Sequence, residues 1–87
     1  MKLLKSVSLP TSSTALKTVN VLFEDKIIKL STDEIEVEED VQIIDAKGLL
    51  MLPGGIDPHT HILAKNADAS TDLAKITKIA LEGGWTT

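Results

Sequence analysis

Cysteine is absent from this 87-residue chain, and that omission removes disulfides, thiolate metal ligands and thiol nucleophiles together. Any metal site must therefore draw on histidine, carboxylates or a modified lysine. Aromatic residues are scarce as well: Phe23 and Trp85 are the whole supply, which leaves little to stack on nucleic-acid bases. Basic excess is missing, since nine Lys+Arg against thirteen Asp+Glu give a net charge of −4. Binders of nucleic acid or anionic membrane carry a basic patch, so neither partner is expected. No uncharged apolar run approaches the ~18 to 20 residues of a membrane span. Lys5 interrupts the apolar start before a signal-peptide core can form, and a reducing, cytoplasmic setting is the expectation. Length excludes too: a complete (β/α)8 barrel needs about 200 residues or more, and 87 residues allow one small, marginal domain. Internal repeats, a glycine-rich phosphate loop, an HExxH helix motif and an EF-hand loop are all absent.

What is present reads first as β structure and then as helix. Residues 3–9 form a weak strand, ended by the polar loop 10–14. A better strand follows at 19–23, with Val19, Val21 and Phe23 on one face; after the turn 24–26, residues 27–30 supply a hairpin partner. Residues 33–40 alternate Ile35 and Val37 with acidic side chains. A cation-binding patch is one reading of that stretch, but clustered carboxylates that repel and stay hydrated read better as a solvated edge or connector. Another strand is expected at 41–45, a turn at 46–48 and an apolar continuation at 49–52. Beyond His61 the period changes. Residues 62–69 read as a loop, Ser70-Thr71-Asp72 as a helix start, and Leu73, Ile76 and Ala80 as one helical face opposite Lys75, Lys78 and Glu82. Gly83 and Gly84 end the helix, and Trp85-Thr86-Thr87 begins what reads as a further strand. Strand, loop, helix and strand start make one βα unit of a parallel β/α architecture, which cannot cover its own apolar faces.

The chemistry-bearing segment is Leu52-Pro53-Gly54-Gly55-Ile56-Asp57-Pro58-His59-Thr60-His61. In an extended strand alternate side chains share a face, so His59 and His61 would point together while Thr60 points away. Imidazole nitrogen is a common zinc ligand, and two fixed imidazoles suit one ion. They do not complete a site, because catalytic zinc ordinarily takes about three protein ligands plus an open position. Taken alone, two histidines this close are more often surface or hydrogen-bonded residues. The apolar entry, the two glycines that permit close backbone approach and the carboxylate of Asp57 shift the reading toward metal. Asp57 itself is open between a ligand, an acceptor for an imidazole N–H and a structural hydrogen bonder.

Three motifs in order, Ile44-Asp45-Ala46-Lys47-Gly48, the segment 52–61, and Leu81-Glu82-Gly83-Gly84-Trp85-Thr86-Thr87, resemble the start of the amidohydrolase superfamily. The resemblance is to its cyclic-amide hydrolases: dihydropyrimidinases (hydantoinases), dihydroorotases and allantoinases. It implies residues 1–52 as a partial β-sandwich domain and 53–87 as the first βα unit of a TIM-like barrel, an N-terminal fragment of the whole. The hairpin at 19–30 is similar to the family's small sandwich, although residues 24–27 lack the glycine usual in its turn. His59 and His61 would be ligands of the more buried of two divalent ions, usually zinc, and a small cyclic amide would be the substrate of a homo-oligomeric enzyme. The family's general acid/base aspartate, bridging carbamylated lysine and remaining histidines have no counterparts in this chain. In dihydroorotases an arginine two residues past the second histidine grips the substrate carboxylate. Leu63 stands at that position, which tilts the resemblance toward a dihydropyrimidinase-like substrate. Alternatives are a urease-like or deaminase relative, and a non-catalytic truncated or scaffold protein. The last is opposed by retention of both histidines. Two imidazoles cannot hold a binuclear catalytic centre, so the purified 87-residue chain supplied with zinc is expected to show no appreciable turnover of dihydrouracil or hydantoin in a spectrophotometric assay.

Overall fold

The computed structural model describes residues 1–60 and 69–87, with side chains described for 1–60 and 73–87. Five elements run in chain order: β1 (Lys2–Pro10), β2 (Leu16–Phe23), β3 (Ile27–Ser31), β4 (Gln42–Asp45) and the helix α1 (Ala69–Glu82). They belong to two units, Met1–Leu52 and Pro53–Thr87.

In the first unit one four-stranded mixed sheet has the order β3-β2-β1-β4. β1 pairs antiparallel with β2 and parallel with β4, and β2 pairs antiparallel with β3. The segment at 3–9, weak by its own composition, is thus an interior strand. Partners on both sides satisfy its backbone groups, a contribution that local propensity does not register. The expected hairpin is present, and Glu24 N–H donates to Lys26 O at 3.1 Å to close its turn.

Register explains the core. Leu4 pairs with Val21 while Val7 pairs with Val19, so β1 carries one extra residue against β2. Ser6 lies in that bulge at φ 62°, a left-handed conformation. The extra residue returns Leu4 and Val7 to a single face, opposite Val21 and Val19. Val7, Val19, Val21 and Ala46 are buried together there, with Leu4, Leu9 and Met51 packed against them. Full burial of one valine stabilises by about 1.5–3 kcal/mol, so this small cluster is the principal apolar term in the sheet.

The expected turn at 46–48 does not reverse the chain. Asp45 Oδ1 accepts from Lys47 N–H at 3.0 Å, Gly48 takes φ 84°, and Leu49 N–H donates to Ala46 O at 2.9 Å. The chain then rejoins β1 in its original direction: Lys5 pairs with Asp45, and further along Ser8 pairs with Leu50. Two strand residues of β1 are skipped while four residues loop out, and Ala46 at the loop's root reaches the core, where it is 1% exposed. The acidic stretch forms no strand and acts as a connector. Its Glu34 lies 3.7 Å from Lys5 Nζ, which places it on the Leu3 face of β1, and its Ile35 is buried while Glu34, Glu36 and Glu38 are exposed.

Asn20 ties these irregular parts together. Its Oδ1 accepts from Ser6 N–H in the bulge, and its Nδ2 donates to Asp33 O at the start of the connector, each at 2.9 Å. Asn20→Ala should therefore lower the unit's stability by about 1–3 kcal/mol, two hydrogen bonds at about 0.5–1.5 kcal/mol each. Asn20→Asp, which keeps only the acceptor, should fall between; urea unfolding followed by far-UV circular dichroism checks both.

Candidate functional site

The second unit joins one helix to two short extended segments. Why α1 ends where it does follows from its glycines. Trp85 N–H donates to Ala80 O at 3.0 Å and Gly84 N–H to Leu81 O at 2.9 Å, with Gly84 at φ 89°. This is a Schellman cap, in which a left-handed residue lets orphan carbonyls of the last turn find donors. At its other end the helix begins at Ala69, so Asp72 lies in its first turn as expected, whereas Ser70, expected at the cap, falls inside the helix. Ala69, the strongest helix former, carries the helical backbone past the expected capping position.

From that cap the chain runs directly into a parallel pairing with the segment before His59. Gly55 N–H donates to Gly84 O at 2.8 Å, Thr86 N–H to Gly55 O at 3.0 Å, and Asp57 N–H to Thr87 O at 2.7 Å. The strand start expected at Trp85 is therefore a parallel partner of Gly55. Both glycines of the motif are required by this approach. A Cβ on Gly55 would lie 2.6 Å from Trp85 Cε3, and one on Gly54 would collide with the Thr86 side chain.

Asp57 and His59 sit just past the paired segment. Asp57 Oδ1 accepts from His59 N–H at 3.1 Å across a bend at Pro58, so His59 is carried on a side-chain-closed turn and not on a continuing strand. Strand alternation is thus not the device that orients it. Both residues are exposed. His61 and Leu63, and most of the expected loop 62–69, lie outside the described residues.

Below the turn is a cavity of about 590 Å³ contained within this unit. Asp57, Thr60, Lys78 and Thr87 supply its polar groups, and Ile76, Ala80, Leu81 and Trp85 its apolar wall. Thr77 also lines it, but its hydroxyl donates back to Leu73 O and Ala74 O at 2.9 and 3.1 Å. Ile76 and Ala80 are half-buried as the helical periodicity requires, whereas Leu73 is exposed along with Ile79 and Leu81. Among the described residues of this unit, one helix and two short segments make no second layer to cover those side chains.

For a divalent ion, the described residues offer the exposed His59 and, two residues before it, the exposed carboxylate of Asp57, which are suitable donor types. No group of three or more His, Asp or Glu converges among the described residues, so they fit the role of contributing ligands and not of enclosing an ion alone. Sequence reasoning singled out His59 and the glycine pair but missed the roles of Thr86 and Thr87 as backbone partners of Gly55 and Asp57. The Asp57-Pro58 pair was the available signal for the turn, since Asp tolerates such side-chain closure and proline presets the bend.

Over residues 42–82 the chain matches the family model described as "Amidohydrolase family". Over 85 residues it is 35% identical to the dihydroorotase of Halalkalibacterium halodurans, covering 98% of this chain and 20% of that protein. It is 34% identical over 87 residues to the dihydroorotase of Staphylococcus aureus, covering 100% and 20% respectively. The dihydroorotase of Staphylococcus epidermidis is 33% identical over 88 residues, with the same coverage. The chain spans about one fifth of the length of these curated relatives.

Gly55→Val should disrupt the pairing with Trp85, and Gly84→Ala should strain the cap by about 1–2 kcal/mol. As Trp85 is the single tryptophan, its fluorescence reports the second unit. The expected outcome is an earlier fluorescence transition in both variants with the circular dichroism of the sheet retained.

Proposed function

On the premise that the chain belongs to the amidohydrolase superfamily, in its cyclic-amide branch, we propose that it contributes the first metal-ligand pair and the first βα unit to an enzyme that hydrolyses cyclic amide C–N bonds. The observation that supports this most strongly is the whole-length similarity to dihydroorotases combined with an exposed His59 held at the end of a parallel pairing. His59 and His61 would hold a divalent ion, zinc by the branch's usual chemistry. When bound, such an ion polarises the amide carbonyl and lowers the pKa of a coordinated water.

This chain's own residues would do the positioning. The Gly55–Trp85 pairing fixes the segment that carries His59, and the Schellman cap fixes where the paired segment starts. Further βα units of a barrel would cover Leu73, Ile79 and Leu81, which stand exposed. A cytoplasmic, homo-oligomeric enzyme acting on a small cyclic amide is the reading that this supports.

Two substrate classes compete. Similarity to dihydroorotases favours a carboxylated ring. Leu63 favours a ring without a carboxylate, as in dihydropyrimidinases, because a planar guanidinium is the side chain suited to bidentate carboxylate binding. We favour the second, on the residue identity at the position itself. The deciding experiment replaces the matching fifth of the Halalkalibacterium halodurans dihydroorotase with this chain. Zinc-dependent hydrolysis is expected, with a preference for dihydrouracil over dihydroorotate, and His59→Ala or His61→Ala should reduce it to background. Leu63→Arg should raise kcat/KM for dihydroorotate by about 10- to 100-fold, the value of a charged hydrogen bond of about 1.5–3 kcal/mol. A folded chimera with no zinc-dependent activity would remove the hydrolase reading.

A further inference from the structure

We infer that Asp57 is a positioning residue for His59, acting through the backbone turn, and that it is not itself a metal ligand. The inference rests on the metal-ligand reading of His59 proposed above and assigns its neighbour a separate task.

Three observations converge on one carboxylate. Asp57 Oδ1 accepts from the backbone N–H of His59 at 3.1 Å, closing a turn two residues wide. Between them Pro58 has no N–H of its own to compete for that oxygen, and its ring restricts φ to about −65°, so few backbone arrangements are open to the turn. On the other side, Asp57 N–H donates to Thr87 O at 2.7 Å, and the preceding Gly55 is bonded through both N–H and C=O to residues 84–87. The same residue therefore joins a fixed ladder through its main chain to the imidazole-bearing residue through its side chain.

The alternatives for this side chain make different demands. A ligand role needs the negative charge of the carboxylate and an oxygen aimed at the ion. A turn-closing role needs only a side-chain acceptor of the right length, which asparagine also provides. Because Oδ1 is already engaged with the His59 amide, the geometry favours the acceptor requirement. The consequence is pre-organisation: the direction in which residue 59 leaves the paired segment is set before any ion arrives, which lowers the ordering cost of capture.

The test compares the intact 87-residue chain with Asp57→Asn and Asp57→Ala, using two independent readouts. In amide hydrogen exchange followed by NMR, the His59 N–H should be protected in the native chain and in Asp57→Asn, and should lose protection in Asp57→Ala while amides of the β1–β2 pair are unchanged. In zinc titration by calorimetry, Asp57→Ala should weaken binding by about 10- to 100-fold, the usual effect of losing a group that orients a ligand. Asp57→Asn should stay within about threefold of the native chain on the same scale. Equal loss in both variants would overturn the inference by showing that the charge itself is needed. An His59 amide unaffected by Asp57→Ala would overturn it by showing that no such turn operates. Should the native chain bind no zinc, as two contributing ligands without the rest of a site allow, the exchange measurement alone decides for or against Asp57 as the turn's closing residue, and the metal reading of His59 is decided separately by the chimera.

Discussion

Parallel backbone pairing between segments distant in sequence is what each unit depends on. In the first, β4 and the segment after it return to β1; in the second, residues 84–87 return to Gly55. Parallel neighbours need a crossover connection, so every such pair commits the intervening chain to a path: the β2–β3 hairpin and acidic connector in one case, α1 in the other. Neither pairing is long. Local devices accompany them, a loop-out at 46–48 beside β1 and, in the βα unit, a glycine pair with a Schellman cap, while the bulge at Ser6 adjusts the antiparallel β1–β2 pairing. These devices absorb residues that would otherwise put apolar side chains on the wrong face or bring a Cβ into a neighbouring chain.

That arrangement links stability to the candidate chemistry. Gly55 is both the closest point of the backbone ladder and the entry to the segment bearing Asp57 and His59. Side chains added there would damage the position of His59 through the pairing, with no contact to the imidazole required. Asp57 extends the same ladder by one more connection. The site is thus built outward from main-chain hydrogen bonds, and its polar side chains are exposed at the end of them. The short aliphatic core of the sheet makes a separate contribution, centred on Val7, Val19, Val21 and Ala46.

Much of the β part was legible in order and approximate extent. The strand pattern at 19–23 and 27–30 follows from alternation and turn residues, and the acidic connector follows from repulsion among its carboxylates. What alternation alone could not supply was the interior position of β1, because pairing on both sides adds to what its own residues contribute. Nor could it supply the bulge at Ser6, whose cause is the pairing with β2 and the reach of Asn20. The turn expected at 46–48 is present, but that the chain then rejoins β1 was not legible, since a turn sequence specifies local dihedrals and not whether the chain leaves or rejoins its neighbour. In the helix, Ile76 and Ala80 follow the expected face by being half-buried, whereas Leu73 on that face is exposed.

Motif order by itself carried the resemblance to the amidohydrolase superfamily and the identity of His59 as a candidate ligand, and composition the lack of any thiol in this chain, because these depend on which residues are present and in what succession. Tertiary structure alone decided that Gly54 and Gly55 are demanded by Thr86 and Trp85, that Ala46 belongs to the core, and that Asp57 spends an oxygen on the backbone of His59. The reason is distance. A sequence records neighbours along the chain, while close approach, burial and hydrogen-bond partnership are set by segments that meet only after the backbone has paired.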